Sequence, residues 1–123
     1  MNITVNEQAQ MFQLATDKGW VPQAGHGIKV GKYQFCAIPK GDVINVSEAT
    51  TGAKIMNIPV DSSIYLLTST KEDSIKFFHQ VGESIKRIID KQDDFDGMLI
   101  LMREMAFEKL GEMPPIEDVE VNQ

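Results

Sequence analysis

Hydrophobic residues recur at a helical spacing near the start of the chain. Four of them fall on one face of a 3.6-residue period, namely Val5, Ala9, Phe12 and Ala15. Thr4 precedes Glu7 by three residues, the spacing of a capping box in which each side chain satisfies an exposed backbone N–H. Gly19 follows at a position where a glycine commonly ends a helix. The pattern therefore predicts an N-terminal helix over residues 4–18.

The hydrophobic period then shortens to two, and turn residues separate short apolar runs. These runs predict strands over residues 28–30, 33–38, 43–48, 53–60 and 64–68, after a loop over residues 21–27. Gly31-Lys32 has the composition of a two-residue hairpin turn. Pro59 lacks a backbone N–H, which favours a sheet edge for its strand. Because the connections are short, neighbouring strands are expected to pair antiparallel.

Helical spacing returns in the last third of the chain. An apolar stripe predicts a helix over residues 70–91, with Ser69 or Thr70 as its cap. A second helix is predicted over residues 95–110, with Gly111 as its stop. The sequence thus predicts an α+β fold with an N-terminal helix, an antiparallel meander of four to five strands and two C-terminal helices.

Length and charge favour a single domain without nucleic-acid or membrane partners. The chain has 123 residues, 42% of them hydrophobic, which predicts one globular domain over residues 1–112. Residues 113–123 hold acidic and polar side chains but no lysine or arginine, and predict a flexible tail. A net charge of −6 gives no basic footprint for nucleic acid. The absence of a leader and of a long apolar run favours a cytoplasmic protein.

The glycine-rich segment Ala24–Tyr33 has the composition of a phosphate loop but not its spacing. A phosphate loop of the Walker type needs a glycine five residues before Gly31, where this chain has His26. Tyr33 replaces the hydroxyl residue that would contact magnesium, and a strand rather than a helix follows. The segment is therefore interpreted as a loop followed by a turn.

Two residues carry an alternative chemical hypothesis. His26 lies between two glycines and could act as a general base, and Cys36 could supply a thiol if the fold brings the two together. This alternative is a small enzyme or ligand-binding domain with its site around the loop Gln23–Gly27. One cysteine and two histidines give no zinc spacing, and the aspartates of Asp90–Asp96 suit helix capping better than calcium binding. No metal or cofactor is predicted.

The last helix has more apolar residues than one buried face requires. The run Met98–Met102 is apolar throughout and so surrounds the helix, which either lies inside the domain or packs on another chain. The candidate interface residues are Met98, Ile100, Leu101, Met102, Met105 and Phe107.

The function that these patterns favour is protein binding rather than catalysis. The chain is interpreted as a small accessory, adaptor or inhibitor protein, of a kind that phages and mobile elements often encode. We expect it to dimerise through its C-terminal helix and to engage a protein partner.

Overall fold

The computed structural model describes residues 1–119. Its strands are β1 (Ile3–Val5), β2 (Gln10–Thr16), β3 (Gly19–Val30), β4 (Tyr33–Lys40), β5 (Val43–Glu48), β6 (Lys54–Pro59) and β7 (Glu117–Asp118). Its helices are α1 (Ser62–Leu67), α2 (Lys71–Lys91) and α3 (Phe95–Leu110).

The strands form one antiparallel sheet in the order β6-β5-β4-β3-β2-β7, and β1 also pairs with β3. The long strand β3 changes partners along its length. Residues 19–25 of β3 pair with β2, whereas residues 26–30 pair with β4. The β2–β3 hairpin, called the flap below, packs over one face of the central strands through Phe12 and Leu14.

Two apolar clusters fill the two sides of the central strands. One side packs against α2 and the start of α3, with Val30, Phe35 and Ile85 among its buried residues. On the other side, Phe12 of the flap packs with Cys36 of β4 in a smaller cluster. The alternation of side chains along β4 produces this division, since successive residues of a strand point to opposite faces.

The predicted N-terminal helix is wrong. Residues 4–18 form β1, β2 and the intervening connection, with Phe12 and Leu14 buried in the cluster beneath the flap. Gly19 has a positive φ of 113°, but it serves the tight β2–β3 hairpin rather than a helix end. Pairing of β2 with β3 supplies the backbone hydrogen bonds that a helix would have made locally.

The predicted number of strands is also wrong, because the described residues form seven. The segment Gln23–Gly27, predicted as a loop, lies inside β3. Residues 64–68 were expected to form a strand, but most of them belong to α1. The Asp61 side chain accepts a hydrogen bond from the Ile64 N–H at 2.9 Å and so caps that helix.

The two long helices confirm their predictions. Thr70 caps α2 by accepting from the Asp73 N–H, and Asp94 caps α3 by accepting from the Gly97 N–H. Gly111 ends α3 with a φ of 80°. No helix within residues 1–119 has both the length and the apolar character needed to cross a bilayer. Of the predicted tail, Glu117–Asp118 pair with β2, and residues 120–123 lie outside the described part of the chain.

Candidate functional site

Helix α3 carries the candidate site, and few apolar contacts hold it to the domain. Phe95 and Leu99 are its two buried residues, and both belong to the cluster beneath α2. Tyr33 meets Phe95 edge to face, with ring centroids 4.9 Å apart. Phe95 and Leu99 therefore anchor the start of α3 in the core, and polar side chains of the helix contact turns of the sheet.

Polar contacts fasten the first half of α3 to two turns of the sheet. Asp96 accepts hydrogen bonds from Lys32 Nζ at 2.9 Å and from the Tyr33 hydroxyl at 2.7 Å. Arg103 Nη2 donates to Thr50 Oγ1 at 2.8 Å, and the Thr50 hydroxyl in turn donates to the buried Glu48 carboxylate. The helix is thus tied to the β3–β4 turn and to the β5–β6 turn.

The contact of Asp96 with Lys32 and Tyr33 shifts the pKa of all three groups. The hydrogen bonds from Lys32 and Tyr33 lower the pKa of Asp96 below its usual range. The hydrogen bond to Asp96 raises the pKa of Lys32 and that of Tyr33. The contact is exposed on both sides, so it positions the helix more than it stabilises the fold.

An aromatic contact fastens the second half of α3. Trp20, in the flap, meets Phe107 edge to face with ring centroids 5.7 Å apart. The Trp20 indole N–H also donates to the Gly111 carbonyl at 3.2 Å, at the end of the helix. This aromatic contact and the hydrogen bonds of Asp96 and Arg103 hold α3 along its length. The outer surface of α3 therefore has a fixed orientation on the domain.

That outer surface is apolar. Ile100, Leu101 and Met105 are 54%, 58% and 53% exposed, and Met98, Met102 and Phe107 are half-buried. Leu101 and Met105 are four residues apart, so they lie on one side of the helix, next to Met98. Ile100 lies on the other side and faces Lys32 and Thr50 across an open cavity of about 460 Å³. Of the six predicted interface residues, three are therefore widely exposed and three are partly covered.

A groove lies between the flap and the Met102–Met105 side of the helix. It has a volume of about 430 Å³ and is lined by Met102, Met105 and Leu110 of α3 and by Ala15 and Thr16 of the flap. Methionine side chains adapt their shape to different partners, and so suit a surface that a second protein covers.

The structure separates the two residues of the catalytic alternative. His26 is adjacent to Ala37 in the β3–β4 register, and its ring lies 5.8 Å from that of Phe78 in α2. Cys36 points to the opposite side of the sheet, into the cluster beneath the flap. The two side chains therefore do not form a nucleophile and base.

Each of these residues also has a structural role. His26 Nδ1 lies 3.0 Å from the Asn6 carbonyl, which can only accept a hydrogen bond. Burial, and to a lesser extent the nearby Glu48 charge, raises the pKa of the Cys36 thiol to about 12. A thiol in this environment is a poor nucleophile.

Sequence reasoning missed a second exposed apolar surface. Tyr65 and Leu66 of α1 are 69% and 70% exposed, and Leu67 is also widely exposed. The sequence predicts a strand over residues 64–68, whereas the structure places these three residues in α1. An aspartate three residues before Ile64 was the signal for this helix, since it has the spacing of an N-cap.

Comparisons with known proteins identify no relative of this chain. Scans of protein-family models, of curated proteins and of solved structures found no match to this chain. Within residues 1–119, no three histidine, cysteine, aspartate or glutamate side chains come together as metal ligands would.

Proposed function

We propose that this chain is a non-enzymatic protein-binding protein, an accessory, adaptor or inhibitor, that forms a homodimer through α3. The observation that carries the proposal is the exposure of Ile100, Leu101 and Met105 on a helix that the domain holds in place. Each of these three side chains is only partly buried, so part of the roughly 1.5–3 kcal/mol that full burial gives a side chain of this size is not realised. Contact with a second protein recovers part of that free energy.

A second copy of the chain suits this surface. Most homodimers are two-fold symmetric, so the same patch meets itself. In an antiparallel pair of α3 helices, Leu101 of one copy would meet Met105 of the other, and the reverse contact would follow by symmetry.

The separation of His26 from Cys36 supports binding over catalysis. A catalytic pair needs its two groups within hydrogen-bond reach, and these two point to opposite faces of the sheet. The segment Gln23–Gly27, which the enzyme alternative treats as a mobile loop, is part of a paired strand.

Size-exclusion chromatography with light scattering tests the proposal. The wild-type protein at tens of micromolar is expected to elute with twice the mass of one chain. Leu101→Glu places a charge at the centre of the contact and is expected to give a monomer with an unchanged circular dichroism spectrum.

Leu66→Glu is the matched control. Leu66 is even more exposed than Leu101 and undergoes the same chemical change, but it lies on α1. This variant is expected to remain a dimer. A wild-type monomer, or a Leu101→Glu variant that stays dimeric, contradicts dimerisation through α3.

A further inference from the structure

Strand β6 forms one edge of the sheet, and within residues 1–119 no strand pairs with its outer side. The Val60 N–H donates to the Asp42 carbonyl at 2.8 Å, so these two residues form a hydrogen-bonded pair across β6 and β5. Hydrogen-bonded pairs alternate with non-hydrogen-bonded pairs along an antiparallel ladder. Ile58 therefore bonds to β5, whereas the N–H and C=O of Asn57 point away from β5, towards the open edge.

The pairing of β5 with β4 gives the same orientation for Asn57. The Ala49 N–H donates to the Gln34 carbonyl at 2.8 Å. Counting back by twos from that pair, Asn45 bonds to β4. Asn45 is opposite Asn57 in the β5–β6 register, so its backbone groups are directed away from Asn57. Among residues 1–119, no backbone group pairs with the N–H or C=O of Asn57.

The position of Pro59 agrees with this orientation. Pro59 is two residues from Asn57, so its backbone nitrogen also lies on the outer side, where a missing N–H breaks no bond to β5. Proline on an edge strand also limits further strand pairing. The free part of the edge is therefore short, is centred on Asn57 and suits pairing with a short segment.

An apolar groove lies beside this free edge, between β6 and α2. It has a volume of about 250 Å³, and its apolar lining consists of Met56 and Ile58 of β6, Ile64 of α1, and Phe77 and Val81 of α2. A cavity of about 150 Å³ holds one benzene molecule, so the groove has room for two small aliphatic side chains.

The groove and the free backbone groups together specify one kind of occupant. Met56 and Ile58 face α2, and Asn57 between them is exposed on the other face of the sheet. In a strand added beside β6, the residue opposite Asn57 would exchange two hydrogen bonds with it, and the residues on either side would direct their side chains towards the groove. An α-helix satisfies its own backbone groups, so it would fill the groove but leave Asn57 unpaired.

We propose that the β6 edge binds an extended segment of a partner protein. The segment adds a strand to the sheet and places two aliphatic side chains, two positions apart, in the groove. The inference rests on the proposed protein-binding function, because it assigns the site for the partner. It does not depend on dimerisation, since the groove lining within residues 1–119 includes no residue of α3.

Titration of the ¹⁵N-labelled protein with a synthetic peptide tests the proposal. The peptide is capped, and valine and threonine alternate between two terminal lysines, so that the valines fill the groove and the threonine backbone faces Asn57. Saturable amide shifts are expected at Asn57, Ile58 and Gln80, with slower hydrogen exchange of the Asn57 amide.

Backbone N-methylation of the peptide supplies a matched control. Methylation of the threonine nitrogens removes donors that face β6 and is expected to weaken binding about tenfold. Methylation of the valine nitrogens, which face solvent, is expected to leave binding unchanged. No saturable shift with the unmethylated peptide, or equal binding of the two methylated peptides, overturns the proposal.

Variants test the assignment to this edge. Asn57→Pro removes the outward N–H without removing a bond to β5 and is expected to weaken peptide binding about tenfold. Gln80→Trp places a ring over the groove from an exposed position of α2, so it tests the site even if Asn57→Pro does not fold. It is expected to weaken binding about tenfold as well. His79→Trp adds the same ring at an exposed position of α2 outside the groove lining and is expected to bind as the wild type does. Undiminished binding by a folded Asn57→Pro or by Gln80→Trp contradicts the assignment.

The failure of this inference is distinguishable from the failure of dimerisation through α3. A wild-type dimer that does not bind the peptide refutes only the edge site, and a wild-type monomer that binds the peptide refutes only dimerisation. Loss of the wild-type dimer in Asn57→Pro would show that a second copy of the chain occupies the edge, which overturns the assignment to a partner's segment.

Discussion

Trp20 and Phe107 meet edge to face at an interplanar angle of 89°, and this contact joins the β2–β3 flap to the last helix. The two residues are far apart in sequence, and Phe107 belongs to a helix that has only two buried residues, Phe95 and Leu99. The indole N–H adds a hydrogen bond to the Gly111 carbonyl, which would otherwise lack a partner at the helix end. Trp20 therefore restrains the flap and the second half of α3 relative to each other.

Trp20→Ala is expected to loosen the second half of α3. The loss of the ring pair and of the indole hydrogen bond should lower the free energy of unfolding by about 2 kcal/mol. Amide hydrogen exchange should accelerate over residues 103–110 more than over α2. Trp20→Phe keeps a ring but removes the indole N–H, and is expected to lose about half as much stability. Equal exchange rates in wild type and Trp20→Ala would show that the contact does not restrain the helix.

Asp96 is expected to give the stability of the fold a small dependence on acidic pH, because its contact with Lys32 is exposed. Because its pKa is lowered in the folded state, its contribution to stability is complete above the unfolded pKa and is lost as pH falls through the folded value. Urea unfolding between about pH 5 and pH 2 should show this loss in the wild type. Asp96→Asn should reduce the slope over that range.

The matched control for this experiment is Asp93→Asn. Asp93 lies in the same connection between α2 and α3 and makes no ion pair within residues 1–119. Its substitution should leave the acid slope as it is in the wild type. If Asp96→Asn and Asp93→Asn change the slope equally, the contact with Lys32 and Tyr33 is not its source.

Local signals predicted the two long helices, and long-range pairing decided the parts that were predicted wrongly. The caps Thr70 and Asp94 act within three residues of themselves, so the sequence reveals them directly. In the first 18 residues, Phe12 fits a helical stripe and also alternates with Leu14 as in a strand. Only the partner strand β3 distinguishes these alternatives, and its pairing is not a local property.

The apolar composition of the candidate site could be predicted from the sequence, but the contacts that hold α3 against the domain could not. The excess of apolar residues in α3 was visible along the chain, and its exposure is consistent with the interface hypothesis. The contacts of Asp96 with Lys32, and of Arg103 with Thr50, join residues more than 50 positions apart. No spacing rule connects such residues, so the orientation of α3 required the structure.

Cys36 is expected to be unreactive until the protein unfolds. With its pKa raised to about 12, only about one thiol in ten thousand is ionised at pH 8. Ellman's reagent should therefore label the native protein far more slowly than the protein in guanidinium chloride. Rapid labelling of the native protein would show that the flap opens readily over β4.

The same thiol should make the fold less stable in alkali. Above about pH 9 the unfolded thiol releases its proton while the buried one keeps it, so stability falls as pH rises towards the folded pKa. Cys36→Ala removes this difference and should flatten the decline between about pH 8.5 and pH 10.5. A Cys36→Ala variant with the wild-type slope would assign the decline to other groups.

The two glycines of β3 are expected to respond to the same substitution in opposite ways. Gly25→Ala forces a Cβ against the Ala37 carbonyl oxygen and Ile38 Cγ1, and backbone atoms of a central strand cannot move aside. Overpacking of this kind should cost about 3 kcal/mol of unfolding free energy. At Gly27 the added methyl group meets ordinary contact distances of 3.5–3.7 Å, and alanine restricts the unfolded chain. Gly27→Ala should therefore stabilise the protein by about 0.5 kcal/mol. Urea denaturation of both variants measures the difference, and a destabilised Gly27→Ala would show that this position does not tolerate a methyl group.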